Sequence, residues 1–166
     1  MIDDEIRARA EALLNAARTA GVTVVTCESC TGGLIGAALT AIPGSSDVVD
    51  GGFITYANPA KMRLGVPEAL LAAHGAVSEP VARAMAEAAR ERGGAAPDLV
   101  SVAVTGVAGP GGGSADKPVG LVHFAAAGAG ATVHRERRFG DIGRDAVRKA
   151  SVLEALNLLD GLISRE

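Results

Sequence analysis

Residues 22–41 read VTVVTCESCTGGLIGAALTA. Val22 to Thr26 is a short β-branched run, the composition of a buried strand. Cys27 to Thr31 is a turn. Gly32 to Ala41 has the small, apolar composition of a helix, closed by Pro43 and Gly44. A strand followed at once by a helix is the signature of an α/β domain. The segments on either side continue it. Upstream, Asp3 to Ala20 places Ile6, Ala10, Leu13, Leu14 and Ala17 on one helical face, with acids in the first turn and Gly21 as the cap. Downstream, Gly52 to Tyr56 is a second strand. Asn58 and Pro59 open a short helix, with Asn as cap and Pro in the first turn. Pro67 to His74 is another. Ser78 caps a longer helix that runs to about Arg92 and stops at Gly93-Gly94.

Leu99 to Val104 is a buried strand, and Thr105 to Pro118 a Gly-rich loop. Val119 to Ala127 and Thr132 to Phe139 form a hairpin. Arg144 to about Ser164 is a terminal helix with Val147, Val152, Leu156, Leu159 and Ile163 as its apolar stripe. The order αβαβαααβββα predicts an α/β fold. The expectation is one three-layer α/β/α domain over residues 1–166, with a mixed sheet.

Composition narrows the function. The chain has 166 residues, 48% of them hydrophobic, enough for a core that buries roughly two-thirds of the unfolded surface. Sixteen basic residues against 19 acidic leave a net charge of −3, which provides no general field for nucleic acid or acidic membranes. Three Phe, one Tyr and no Trp cannot build a stacking platform for single strands. The 22 Gly and 33 Ala follow no G-X-Y period, which excludes collagen. Two Cys make no disulfide framework and suit a reducing compartment. The N-terminus (Met1, Ile2, Asp3, Asp4, Glu5) is not a basic signal region, and no apolar run is long enough to span a membrane. A soluble cytoplasmic protein is expected, with neither nucleic acid nor membrane as partner.

In such sheets, sites form at the carboxyl ends of strands. Three polar segments lie there: Cys27–Gly33, Tyr56–Lys61 and Thr105–Lys117. Ser29 sits between strand and helix. Backbone N–H groups at the helix start can bind a developing oxyanion. Ser29 and Thr31 would equally serve as caps. A nucleophilic Ser needs a base. His74, His123 and His134 lie in places that suit packing or surface roles. Lys61 is in the first turn of a short helix, where the helix dipole lowers its pKa and partial burial would lower it further. Its ordinary alternative is a solvated lysine. Tyr56, the only tyrosine, ends the preceding strand.

Other features admit other chemistry. Thr105 to Ser114 can aim N–H groups at a phosphate, yet it is neither a P-loop nor a dinucleotide fingerprint. Cys27 and Cys30 have the C-x-x-C spacing of a thiol–disulfide oxidoreductase at a strand–helix junction; the alternative is two small buried hydrophobes. No second pair completes a zinc site. Arg135, Arg137, Arg138, Arg144 and Arg148 cluster late in the chain, as phosphate ligands or as ion-pair partners.

Taken together, Glu28-Ser29-Cys30-Thr31-Gly32-Gly33, Pro43-Gly44-Ser45-Ser46, Thr55-Tyr56-Ala57-Asn58-x-x-Lys61, His74-Gly75-Ala76-Val77-Ser78-Glu79, Thr105 to Gly112 and Lys117-Pro118-Val119-Gly120 resemble, in order, the C-terminal domain of the competence/damage-inducible CinA proteins, the nicotinamide-nucleotide amidohydrolase family. The resemblance runs from about Val22 to the last helix. It implies hydrolysis of the carboxamide of nicotinamide mononucleotide to nicotinate mononucleotide and ammonia, in pyridine nucleotide salvage. It implies no metal or other cofactor, and a cytoplasmic homo-oligomer, dimer or higher. Ser29 would be the nucleophile and Lys61 the base, with Tyr56 polarising or relaying between them. Thr105, Gly106 and Gly109 would line the substrate site and Arg144 would hold the phosphate. The oxyanion donors are expected at the helix start, around Cys30, Thr31 and Gly32. A catalytically silent nucleotide-binding domain is the alternative.

Two positions depart from the family pattern. Phe139-Gly140-Asp141-Ile142-Gly143-Arg144 is one residue longer than the usual Phe-Pro-Gly-Asp-Arg, which bears on Arg144. Cys27 stands where Ala is common, which creates the C-x-x-C. Relatives also occur fused to an N-terminal domain resembling molybdopterin-binding proteins, with a pyrophosphatase activity. These 166 residues contain no segment like it, and that activity is not expected of them.

Overall fold

A computed structural model describes residues 2–165; Met1 and Glu166, included in the expected domain, lie outside the described residues. The elements are α1 (Asp4–Ala20), β1 (Thr23–Glu28), α2 (Leu34–Thr40), a 3-10 turn (Ser45–Asp47), β2 (Val49–Ile54), α3 (Asn58–Leu64), α4 (Glu68–His74), α5 (Glu79–Arg92), β3 (Leu99–Gly106), β4 (Leu121–Ala127), β5 (Thr132–Arg138) and α6 (Arg144–Ile163). The sheet order is β2-β1-β3-β4-β5. β1 runs parallel to β2 and β3, whereas β4 and β5 are antiparallel additions. The sheet is therefore mixed, as the alternating first half and hairpin second half of the chain predict.

Side chains alternate across the strands and divide the core in two. Val24, Val100, Val102, Val104, Val122 and Phe124 pack beneath α1, α2 and α6. Val25, Cys27, Ala103, Ala125 and Ala127 face α5 and its neighbours. This second face is alanine-rich on both sides, since α5 presents Ala82, Ala86 and Ala89 to it. Small residues let helix and sheet approach closely, and the Ser101 hydroxyl donates to the Ala86 carbonyl at 2.6 Å. The high alanine content thus has a packing purpose. α6 is buried over a broader arc than its five-residue stripe, with Ser151, Ala155, Leu158 and Leu162 added, because both the sheet and α1 lie against it.

Several boundaries move. β1 continues through Cys27 and Glu28, and β3 through Thr105 and Gly106. β2 starts at Val49 and ends before Tyr56. α2 begins at Leu34 rather than Gly32, because Gly32 (φ 60°) and Gly33 (φ 96°) take the left-handed conformation that glycine tolerates best. Asn58 is the first helical residue of α3 rather than its cap, a position held by Ala57. Ser78 does hold the cap position of α5, but its hydroxyl donates back to the Gly75 carbonyl instead of capping. Among the described residues no helix is long and apolar enough to cross a membrane.

Candidate active site

β1, β2 and β3 are parallel neighbours, so their carboxyl ends open together. Ser29 is the first residue beyond β1. Its N–H donates to the Val104 carbonyl at 3.0 Å, which fixes its backbone to β3. Its side chain is bonded to Lys61, with Oγ and Nζ 3.0 Å apart.

Lys61 is 1% exposed. It lies at the middle of α3, so the dipole argument from a first-turn position does not apply. Burial pushes its pKa below the ordinary lysine value. Besides Ser29, Nζ meets the carbonyl of Thr55 at 2.7 Å and that of Tyr56 at 3.3 Å. None of the three partners is a carboxylate. A neutral amine would give its two N–H groups to the two carbonyls. Its lone pair is then left for the Ser29 hydroxyl proton. This is the geometry of a nucleophile and its base.

The start of α2 is not open. The buried carboxylate of Glu28 accepts from Gly33 and Ile35 N–H at 3.0 Å each and from Gly36 N–H at 2.8 Å. Glu28 opens the Glu28–Gly33 motif, but the sequence assigns it no role there. Neither Ser29 nor Thr31 caps the helix. The Gly32 N–H is also occupied, donating to the Ser29 carbonyl at 3.0 Å, which removes Gly32 from the expected oxyanion donors. The N–H groups of Cys30 and Thr31 donate to no other residue among those described. Cys30 lines the cleft, whereas the Thr31 side chain is buried behind it.

The cleft over Ser29 has a volume of about 200 Å³, and Lys61, Tyr56, Thr105, Gly106 and Arg144 contribute to its walls. Thr105 is anchored through its hydroxyl to the Ala76 carbonyl at 2.9 Å. Gly106 is required by close approach: a Cβ there would meet Val122 Cγ2 at 2.7 Å and Leu121 O at 2.8 Å. Tyr56 is mostly exposed, and its hydroxyl accepts from Arg144 Nη2 at 2.9 Å. A relay through its ring is unnecessary here, because Ser29 and Lys61 touch directly; Tyr56 serves Lys61 through its carbonyl. Arg144 also donates from Nη1 to the Gly109 carbonyl at 2.9 Å. Gly109 therefore acts behind Arg144 and not in the wall of the cleft. Asn58, which the sequence offers only as a helix cap within the Thr55–Lys61 motif, is a further wall residue.

The other candidates lie elsewhere. Arg135 and Arg137 both bond Glu154, and Arg138 bonds Glu136. Arg148 ties α6 to the Ser29 turn by donating to the Thr31 carbonyl at 3.1 Å. His123 and His134 bond each other at 2.9 Å between β4 and β5. Among the described residues no three His, Cys, Asp or Glu side chains converge as metal ligands.

The cysteine pair fails as a dithiol. Cys27 belongs to the core on one face of the sheet and Cys30 to the core on the other. Burial pushes their thiols up to about 11 and about 12 respectively. A thiol held that high is neutral and unreactive near pH 7. The native protein is expected to reduce no insulin and to leave a disulfide reagent unreacted for minutes at pH 8, with both thiols titrating after denaturation. Fast reaction of either cysteine in the native state would contradict this burial.

Comparison with known proteins agrees with the fold and the motifs. A model of the family described as the CinA C-terminal domain matches residues 6–163. A CinA-like protein of Synechococcus sp. (strain RCC307) is 58% identical over 152 residues, covering 90% of this chain and 36% of its own length. A CinA-like protein of Anaeromyxobacter sp. (strain K) is 57% identical over 141 residues, covering 84% of this chain and 33% of its own. The chain thus spans about a third of these curated relatives. The crystal structure of competence/damage inducible protein CihA from Agrobacterium tumefaciens superposes with a TM-score of 0.92 at 49% identity, over 98% of both chains. A CinA superfamily protein from Klebsiella pneumoniae gives 0.85 at 33% identity, again over 98% of both.

Proposed function

This chain belongs to the CinA C-terminal domain family, and from that premise we propose that it hydrolyses the carboxamide of nicotinamide mononucleotide to nicotinate mononucleotide and ammonia. One observation carries the reading. Ser29 Oγ lies 3.0 Å from the Nζ of a buried lysine whose other partners are carbonyls. A lysine held in this way bonds no carboxylate, and it has what a general base needs.

Neutral Lys61 takes the Ser29 proton as Oγ bonds to the carboxamide carbon. The N–H groups of Cys30 and Thr31 receive the oxyanion, a contribution typically of about 3–4 kcal/mol per donor. The C–N bond then breaks. The Lys61 ammonium gives its proton to the departing nitrogen, and ammonia leaves an ester on Ser29. Lys61 next takes a proton from water, whose oxygen bonds to the acyl carbon. Ser29 Oγ leaves with the proton from Lys61, and the acid is free.

Arg144 holds the phosphate in this reading. Two of its five N–H groups are bonded to Tyr56 and Gly109, which fixes the guanidinium at the rim and leaves donors for an anion. Under the same reading the protein works in the cytoplasm as a homo-oligomer, with the nucleotide as its small-molecule partner.

Ammonia release from the nucleotide, set against the dephosphorylated nucleoside, tests the assignment. A hydrogen bond to a charged group contributes about 1.5–3 kcal/mol, so kcat/KM for the nucleoside should be roughly 10- to 100-fold lower. Arg144→Ala should erase that preference. Equal kcat/KM for both substrates in the unaltered protein would remove Arg144 as the phosphate ligand, and no ammonia from either would remove the activity.

A further inference from the structure

Residue 28 holds the Ser29 turn from both ends. Its backbone closes β1: the Glu28 carbonyl accepts the Thr55 N–H at 2.8 Å, and Thr55 in turn presents its own carbonyl to Lys61. The side chain reaches forward across the turn to Gly33, Ile35 and Gly36. Residues 29–33 are therefore strung between the α-carbon of Glu28 and the carboxylate of the same residue.

An ordinary helix cap is a short polar side chain at the cap position. Here that position is Gly33, which has no side chain, and an acid from the preceding strand does the work. The carboxylate lies close over the first turn of α2, where a Cβ at Gly36 would stand 3.6 Å from Glu28 Oε1, in ordinary contact. The carboxylate is 1% exposed. Burying a charge is costly unless charge-assisted hydrogen bonds satisfy it, and its partners are three backbone N–H groups. Two consequences follow from this arrangement. The Gly33, Ile35 and Gly36 N–H groups are filled, while those of Cys30 and Thr31 carry no bond to another residue among those described. The reach of one side chain also sets the curvature of the turn, and with it the direction of Ser29 Oγ.

We propose that Glu28 is a positioning residue whose buried carboxylate holds the 29–33 turn in the shape that aims Ser29 Oγ at Lys61 Nζ and keeps the Cys30 and Thr31 N–H groups free. The proposal rests on Ser29 being the nucleophile. It does not depend on which amide is the substrate.

The experiment compares the unaltered chain with Glu28→Gln and Glu28→Asp. Gln sets an NH₂ against at least one backbone N–H, and Asp keeps the charge but falls one methylene short. Two rates are read: phosphonylation of Ser29 by a fluorophosphonate probe, located by mass spectrometry, and ammonia release from nicotinamide mononucleotide. Both variants should fold by circular dichroism. A nucleophile displaced by about 1 Å loses roughly 100-fold in rate, so labelling and kcat should each fall by about that factor with KM within threefold.

Labelling and kcat within threefold of the unaltered chain in both variants would overturn the positioning role and leave the serine reading standing. A raised KM with unchanged kcat would overturn it as well, since that is a binding effect. Failure of both variants to fold would overturn it by making the carboxylate a requirement of the fold. An unaltered chain that the probe does not label at Ser29 would instead overturn the serine reading, and this proposal with it. If the probe labels Ser29 but no ammonia appears, the substrate assignment falls and the labelling rates alone decide on Glu28.

Discussion

Ser29→Ala is expected to lower ammonia release from nicotinamide mononucleotide by at least about 10³-fold, because an acyl-enzyme route has no second nucleophile to fall back on. The variant keeps the N–H groups of Cys30 and Thr31 and the rim arginine. What activity remains should be the residue of binding and electrostatics, with KM little changed. The fold should survive. Among the described residues the Ser29 side chain has one bonded partner, Lys61 Nζ, and loss of one such hydrogen bond costs about 0.5–1.5 kcal/mol. In a domain of this size that lowers Tm by only a few degrees. The assay is run with a chelator present, so that a contaminating metalloenzyme does not supply the ammonia. Full turnover by the alanine variant would remove Ser29 from the mechanism.

Lys61 gives the second large effect. Lys61→Ala should be as severe as Ser29→Ala, since nucleophile and base act as a unit. Lys61→Arg should fail as well, because a guanidinium stays protonated and accepts nothing. The pH dependence carries a sign. Burial holds Lys61 below the ordinary lysine value, and in the proposed mechanism the neutral amine is the active form. On the acid limb kcat/KM should therefore rise with pH and level off at a pKa below that of a free lysine.

Stability has a matching slope. The unfolded chain keeps this proton up to the ordinary value of 10.5, while the folded chain releases it earlier. Between the two pKa values the unfolded state binds more protons, so stability rises with pH. Below the folded pKa the whole cost of the buried ammonium is present. The Lys61→Ala variant should lack this component when denaturation is followed across the alkaline range. An arginine variant with a tenth or more of normal activity, or an acid limb placed at a free lysine's pKa, would contradict the role.

Much of this architecture is legible in one sequence because its causes are local. The β-branched run at 22–26 and the apolar run at 99–104 need burial, and Gly21, Pro43-Gly44 and Gly93-Gly94 end their helices by backbone geometry. The boundaries that moved are those where polar residues finish a strand. Cys27, Glu28, Thr105 and Gly106 look like loop residues, yet they continue the ladder between β1 and β3, and between β3 and β4. The C-x-x-C spacing misled for a related reason. Cys27 obeys the alternation of a strand and Cys30 lies within the turn that follows it, so the two thiols enter different cores. Glu28 escaped because capping patterns are sought at the cap and three residues beyond it, while this acid reaches over a five-residue turn from the strand.

The sequence by itself determined the order of elements, the apolar stripes of the first and last helices, and the three strand ends where polar residues collect. It could also name Ser29 and Lys61 through the resemblance of its motifs. Only the tertiary structure decided which groups touch. Ser29 and Lys61 are 32 residues apart, and Tyr56 and Arg144 are 88 apart. Whether Lys61 is solvated or buried against two carbonyls depends on where α3 lies on the sheet. The late arginines divide in the same way, one at the cleft, one on the Ser29 turn and three in ion pairs. Propensity and capping act over a few residues, whereas desolvation and hydrogen bonding act over a few ångströms, and it is packing that brings distant residues within them.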